Sequence, residues 1–354
     1  MAKSKDDDAV PAAFVAPELR QSLVGHNAEA TMIAQLIARH QFANGWLVQG
    51  PEGIGKASFA YAVARAYLSP MMPQLDMGSG PANLMSLQDA QIAKLVASRS
   101  HPDLFVAERQ VNPKTQKLST EISVETIRQL NQFMTYTSAM GGNRLAIVDT
   151  ADDMNTNAAN ALLKTLEEPP ANTALLLLTS VPGRLLPTIR SRCRKIVLTP
   201  TTLDEVERFL IAEGIAPELA KSAALASGGR PGFALSLAAG EGEAVLKLVD
   251  RFLGAGQLEQ ALRIATALSA KGAETMWDLF QQLLLSRLSA SIVDECKAGT
   301  KSAQIEHRLA AREALTALFD RGARVNLDRT QVILAAHRIL TGVDRGVAAG
   351  ARVS

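Results

Sequence analysis

One stretch limits the folds open to this chain more than any other: Gly50-Pro51-Glu52-Gly53-Ile54-Gly55-Lys56-Ala57. It stands between the apolar run Trp46-Leu47-Val48 and a segment carrying Phe59, Ala60, Val63, Ala64 and Tyr67 at helical spacing. Strand, glycine loop and helix is the context that a G-x-x-x-x-G-K-[ST] motif requires. There, backbone N–H groups wrap phosphate oxygens at a helix N-terminus, the lysine reaches the outer phosphates, and a hydroxyl holds magnesium. The hydroxyl position is Ala57 here. The pattern predicts a phosphate cradle with one element missing.

Four further short apolar runs follow, at Leu104–Ala107, Leu145–Asp149, Ala174–Thr179 and Lys195–Leu198, with helical patterns between them. An earlier helix is read over Asn27–His40, with Ala30, Ile33, Ala34 and Ile37 on one face. Ser123 is an N-cap residue with Glu125 placed to favour the helix dipole, and Asn155 or Thr156 opens a helix that Pro169-Pro170 ends. Five buried strands alternating with helices predict an α/β fold with a mostly parallel sheet covered on both faces, filling residues 20–200. Residues 1–19 read as a flexible tail, and the Pro- and Gly-punctuated stretch 69–100 as a surface excursion.

After Pro200 the pattern becomes helical throughout. Thr202 and Glu205 form a capping box, and breaks at Gly214, Pro217 and Gly228-Gly229 suggest a small helical domain over 201–242. Amphipathic segments over 243–354 suggest a third, all-helical domain. In it the stripe Trp277, Phe280 and Leu284 reads as core.

With 354 residues, two or three domains are expected. A net charge of +2 argues against a dedicated nucleic-acid groove or a membrane-surface protein. The two cysteines, Cys193 and Cys296, make neither a disulfide framework nor a four-cysteine zinc site, and a reducing, cytoplasmic setting is the simplest reading. No run approaches the ~18 apolar residues needed to span a bilayer.

The strand ending in Asp149, downstream of a phosphate loop, reads as a Walker B element whose carboxylate holds magnesium through water. Thr150 stands where hydrolysing relatives carry a glutamate, and Asp152 and Asp153, one turn on, are expected to point elsewhere. Arg184, Arg190, Arg192, Arg194 and Lys195 crowd a dozen residues around a short helix and the last strand, where a guanidinium can serve a neighbouring subunit's γ-phosphate. His101 reads as a structural side chain.

Four strings together carry a resemblance: the phosphate loop, His101-Pro102-Asp103, Asn160 to Pro170 (NALLKTLEEPP) and Ser191-Arg192-Cys193. The chain resembles the AAA+ subunits of bacterial clamp loaders, most nearly the delta-prime family of DNA polymerase III. The resemblance spans residues 20–240, with the C-terminal helices matching by position only. It implies a RecA-like AAA+ core over 20–200, a helical lid over 201–242 and a helical collar over 243–354 that joins a pentamer.

It further implies a non-hydrolysing stator within a DNA polymerase (nucleotidyltransferase) holoenzyme. Arg192 would act in trans on ATP held by an adjacent gamma/tau subunit, and the delta subunit, the sliding clamp and, through the complex, primed DNA would be the other partners. Gly50, Pro51, Glu52, Gly53, Ile54, Gly55, Lys56, Ala57 and Asp149 would then form a weak or vestigial ATP site. Thr179 stands at the first sensor position and Arg230 at the second. Many relatives carry a four-cysteine zinc module after the first helix; residues 69–100 hold no cysteine, so no zinc is expected.

Two other readings compete. An active AAA+ motor would need Ser58 to replace the missing hydroxyl and Asp152 or Asp153 to replace the missing glutamate. A phosphate-loop kinase acting on a small molecule leaves both the Ser-Arg-Cys triplet and the helical third of the chain without a role.

Overall fold

A computed structural model describes residues 15–69, 83–111, 118–239, 242–255, 257–270, 272–299, 302–325 and 327–342. They fall into two compact units. One holds the described residues up to Glu205 together with Arg230–Gly232; the other holds Val206–Gly229 and the described residues from Phe233 onward.

The first unit contains, in order, α1 (Asn27–Ala38), β1 (Gly45–Gln49), α2 (Lys56–Leu68), α3 (Ala90–Ala97), β2 (Leu104–Ala107) and α4 (Val124–Thr135). After these come β3 (Arg144–Val148), α5 (Thr156–Glu167), β4 (Thr173–Thr179), α6 (Pro187–Arg192) and β5 (Arg194–Val197). The five strands form one sheet in the order β2-β3-β4-β1-β5, with every pairing parallel. The five-strand expectation holds, and its physical basis is visible in the alternation of side chains. Trp46, Val48, Leu145, Ile147, Leu176 and Leu178 enter one apolar cluster with α1, α2 and α3. Leu47, Ala146, Val148, Leu175 and Leu177 enter another with α4, α5 and α6. Both faces are covered, as parallel sheets require.

Three expectations need correction. The last strand is not buried: β5 is an edge strand whose Arg194, Lys195 and Val197 face solvent, with Ile196 alone turned inward. The helix after the loop does not bury a single face. Every residue of α2 from Phe59 to Leu68 is buried, including Arg65, because α1, β3, β4 and the turns at Pro17–Leu19 and Leu84–Leu87 surround it. Arg65 donates to Gln88 Oε1 at 3.0 Å and to the carbonyls of Glu18 and Arg20 at 3.3 and 2.8 Å. Those bonds pin Pro17–Leu19 in place; residues 1–14 of the expected tail lie outside the described residues, as do residues 70–82 of the expected excursion. The described remainder of that stretch is not surface alone: Leu84 and Leu87, and Ile92 and Val96 of α3, are buried in the cluster that covers α2, because their apolar spacing gives them a face to pack.

Caps read from the sequence are present. Ser123 Oγ accepts from Thr126 N–H, Asn155 Oδ1 accepts from Ala158 N–H, and Thr202 and Glu205 each accept from the other's backbone N–H. His101 is a turn residue, its Nδ1 accepting the Asp103 N–H at 3.1 Å. The carboxylate of the buried Asp103 in turn accepts from Ser138 Oγ and from the N–H groups of Ala139 and Met140.

The Thr202–Glu205 box opens α7 (Leu203–Ala212), from which the helical unit runs through α8 (Pro217–Ser227), α9 (Pro231–Ala238), α10 (Gly242–Leu253), α11 (Leu258–Leu268), α12 (Glu274–Lys297), α13 (Ser302–Val325) and α14 (Arg329–Thr341). A single apolar cluster links Val206 in α7 to Ala336 in α14. Phe280 and Leu284 are fully buried in it and the half-buried Trp277 packs against it, as the stripe predicts. No described helix is long and apolar enough to cross a membrane.

Candidate functional site

Strand register assembles the site. Gln49 pairs with Thr179 across β1 and β4, and Val148 pairs with Leu177 across β3 and β4. The residues that follow, Gly50, Asp149 and Ser180, therefore emerge together at the carboxyl ends of the three central strands. That is where open α/β sheets bind ligands.

The loop itself has the backbone of a phosphate cradle. Gly53 and Gly55 lie in the left-handed region, with φ 75° and 105°, and a Cβ placed on Gly55 would meet nothing within 4 Å. Gly50 is fixed for a different reason: a Cβ there would stand 2.7 Å from the Leu198 carbonyl oxygen. Lys56, the first residue of α2, turns back onto the loop. Its Nζ donates to the Gly50 carbonyl at 2.8 Å, to the Pro51 carbonyl at 3.1 Å and to Ser180 Oγ at 2.7 Å. Those three bonds occupy all three donors of the ammonium. Burial lowers the ammonium to about 8, although the carboxylates of Glu52, Asp152 and Asp149 pull the other way.

Behind the loop, Asp149 is held well inside the site, its N–H donating to the Ala107 carbonyl. Burial raises its carboxyl above the usual range and Glu108 adds to the effect, against Lys56, Arg99 and the Thr150 N–H. Thr150 has a left-handed backbone, φ 62°, and leads into a tight turn.

Asp152 does not point elsewhere, as the sequence spacing suggested. It accepts from Thr179 Oγ1, from Ser180 N–H at 2.6 Å and from Val181 N–H at 3.3 Å, clamping the end of β4. The turn at Ala151–Asp153 swings the carboxylate back across the sheet, a reversal that local periodicity does not encode. Asp153 pairs with Arg109 at 3.3 Å. Thr179, expected as a sensor, is fully buried and its hydroxyl is committed to Asp152.

Arg230 and Gly232 belong to the same unit as the loop. Arg230 Nη1 donates to the Glu52 carbonyl at 3.4 Å, and burial lowers its guanidinium to about 10 against the pull of Glu52. Gly232 N–H donates to the Gly53 carbonyl at 2.8 Å, an approach so close that a Cβ on Gly232 would sit 3.0 Å from that oxygen. The segment Arg230–Gly232, where the second sensor was expected, therefore rests on loop carbonyls.

The basic cluster separates into distinct roles. Arg194 lies over the Trp46 ring at 5.1 Å. Arg192, at the end of α6, is about one-third exposed; its Nη2 stands 2.7 Å from Glu167 Oε1 and its Nη1 donates to the Thr188 carbonyl at 3.0 Å. Cys193 is buried, which pushes its thiol up to about 12 and makes it a packing residue.

The backbone cradle suits a phosphate group, and alanine at position 57 leaves the loop without the hydroxyl that would hold magnesium. The Lys56 ammonium is bonded to the Gly50 and Pro51 carbonyls and to Ser180. Asp152 and Asp153, the substitutes that an active motor would need, are tied to β4 and to Arg109. Among the described residues, no group of three or more His, Cys, Asp or Glu side chains is placed to hold a metal ion.

Comparison with known proteins gives a consistent picture. Residues 25–202 match the family model described as DNA polymerase III, delta subunit. The DNA polymerase III subunit delta' of Pseudomonas aeruginosa is 39% identical over 160 residues, covering 45% of this chain and 44% of that protein. The subunit delta' of Escherichia coli K12 is 33% identical over 211 residues, covering 58% and 59% respectively. The subunit tau of Salmonella typhimurium is 26% identical over 324 residues, covering 83% of this chain and 47% of that one. The matches thus span about half the length of these curated relatives.

Proposed function

Because the chain belongs to the DNA polymerase III delta subunit family, in its delta' branch, we propose that it is the non-hydrolysing stator of a clamp loader and lends Arg192 in trans to ATP held by an adjacent gamma/tau-type subunit. The observation that carries this reading is a contrast between two sites on one sheet. The chain's own loop has alanine where a magnesium-binding hydroxyl would stand, at position 57, and has its lysine internally bonded, while Arg192 stands partly exposed on a short helix at the edge of the core. A guanidinium at a neighbour's γ-phosphate stabilises charge that develops during transfer, worth about a thousandfold to a hundred-thousandfold in other systems.

On this reading any ATP at the loop is held weakly through the backbone cradle and is not turned over. The delta subunit, the sliding clamp and, through the assembly, primed DNA are the remaining partners, in the cytoplasm. Residues 201–242 act as the lid and 243–354 as the collar that joins subunits. The test is ATP hydrolysis by the purified chain alone and after assembly with a tau-type subunit. The chain alone is expected to be inactive. R192A is expected to leave the fold intact and to lower the assembled rate by about a thousandfold or more. An unchanged assembled rate would return Arg192 to the ordinary surface charges.

A further inference from the structure

We propose that Glu167 is the positioning residue for Arg192, setting the guanidinium's orientation before any phosphate reaches it; this rests on the trans role given to Arg192 above. A guanidinium carries five N–H donors in a rigid planar fork on a long, mobile stem. Here two of them are used. Nη1 holds the Thr188 carbonyl one turn back on its own helix, and Nη2 holds Glu167 Oε1 at the end of α5. Anchored at both ends of the fork, the side chain has little rotamer freedom left to lose on meeting a further acceptor. Its Nε–H and one N–H on each Nη remain for phosphate oxygens of a nucleotide on a neighbouring chain. Such preorganisation lowers the cost of forming the later contact.

The spacing between the partners is built into the core, independently of the ion pair. Leu166, just before Glu167, and Cys193, just after Arg192, are both buried in the cluster beneath them. They converge on Gly45 at the start of β1, where a Cβ would stand 2.6 Å from Leu166 Cδ2, 3.5 Å from Cys193 Sγ and 3.9 Å from the Arg192 carbonyl. The missing side chain at Gly45 lets the end of α5 approach the α6–β5 junction closely enough for the pair to form. Glu167 is thus held at one distance from Arg192 by apolar packing, and the carboxylate supplies direction.

The experiment uses the full chain assembled with a tau-type ATPase subunit, and reads kcat and KM for ATP at low and high salt. E167A is expected to lower kcat about two- to fivefold, the range set by a half-exposed ion pair, with KM unchanged. E167D is expected to restore most of the rate, since it keeps the charge. The effect of E167A is expected to shrink at high salt and to vanish in the R192A background, with the thermal midpoint unaltered in every variant. E167Q, which keeps the side-chain volume, gives the same reading should E167A fold poorly. The proposal is overturned if E167A leaves kcat unchanged or raises it while R192A lowers it. It is equally overturned if E167A lowers kcat as much without Arg192 as with it. If R192A itself has no effect, the trans role fails first and the positioning role falls with it.

Discussion

Lys56 Nζ donates to Ser180 Oγ at 2.7 Å across 124 residues of sequence, and Ser180 is itself fixed through its N–H to Asp152 Oδ2 at 2.6 Å. The lysine of the phosphate loop, the end of β4 and the turn after β3 are thereby joined in one chain of hydrogen bonds. Lys56 works as a brace of the sheet's carboxyl edge, and its chemistry follows from that placement.

A buried ammonium of lowered pKa has a definite signature in stability. Between about 8 and its ordinary value of 10.5 the folded chain holds this proton less tightly than the unfolded chain does. Lys56 therefore makes stability rise with pH across that window. Urea midpoints compared for the wild-type chain and K56M are expected to move in favour of the wild type between about pH 7.5 and pH 10. A difference that stays flat would show that the three hydrogen bonds offset the cost of burial.

Gly50 tests how tightly the loop is fitted to β5. A Cβ at this position would stand 2.7 Å from a backbone oxygen, Leu198 O, which moves only if β5 shifts against β1. G50A is expected to cost about 1 to 3 kcal/mol in chemical denaturation. G142A is the control, because nothing lies within 4 Å of its Cβ position, and it is expected to stay within about 0.5 kcal/mol of wild type.

Asp103 and the donors around it should contribute to acid behaviour. Burial alone would raise the Asp103 carboxyl, but donors from Ala139, Met140 and Ser138, together with Arg144 at 3.4 Å, hold it below its usual value. Its stabilising contribution is therefore present above the ordinary carboxylate range and is lost as pH falls through the lowered folded value. D103A leaves a buried guanidinium unpaired and is expected to cost about 3 to 5 kcal/mol at neutral pH. D103N, which cannot ionise, is expected to unfold with a shallower acid dependence than wild type; an identical acid limb would place the sensitivity elsewhere.

What the sequence disclosed was local. Ser123, Asn155 and the Thr202–Glu205 box act on N–H groups within four residues, so their roles are readable from spacing alone. Apolar runs mark the five strands for the same reason. The reversal of Asp152 toward Thr179 and Ser180 was hidden, because it depends on which strands become neighbours. The hold of Arg230 and Gly232 on the loop carbonyls was hidden for the same reason, since it joins residues some 180 positions apart. The exposure of β5 follows from its place at the sheet edge, although the pattern Arg194-Lys195-Ile196-Val197, with a single inward apolar residue, carried a hint of it.

The sheet order also sets a timetable during synthesis. β1 sits between β4 and β5, so neither of its hydrogen-bonded neighbours exists when it leaves the ribosome. At about 5 to 20 residues per second, the roughly 130 residues separating β1 from β4 take on the order of 6 to 30 s to make. Throughout that interval Trp46, Leu47 and Val48 must be sheltered by something other than their final partners. α2 directly follows β1 and its residues from Phe59 to Leu68 are themselves buried only in the finished fold, so it adds to that burden. This arrangement makes the nascent N-terminal third of the chain the part most exposed to aggregation before β4 is made.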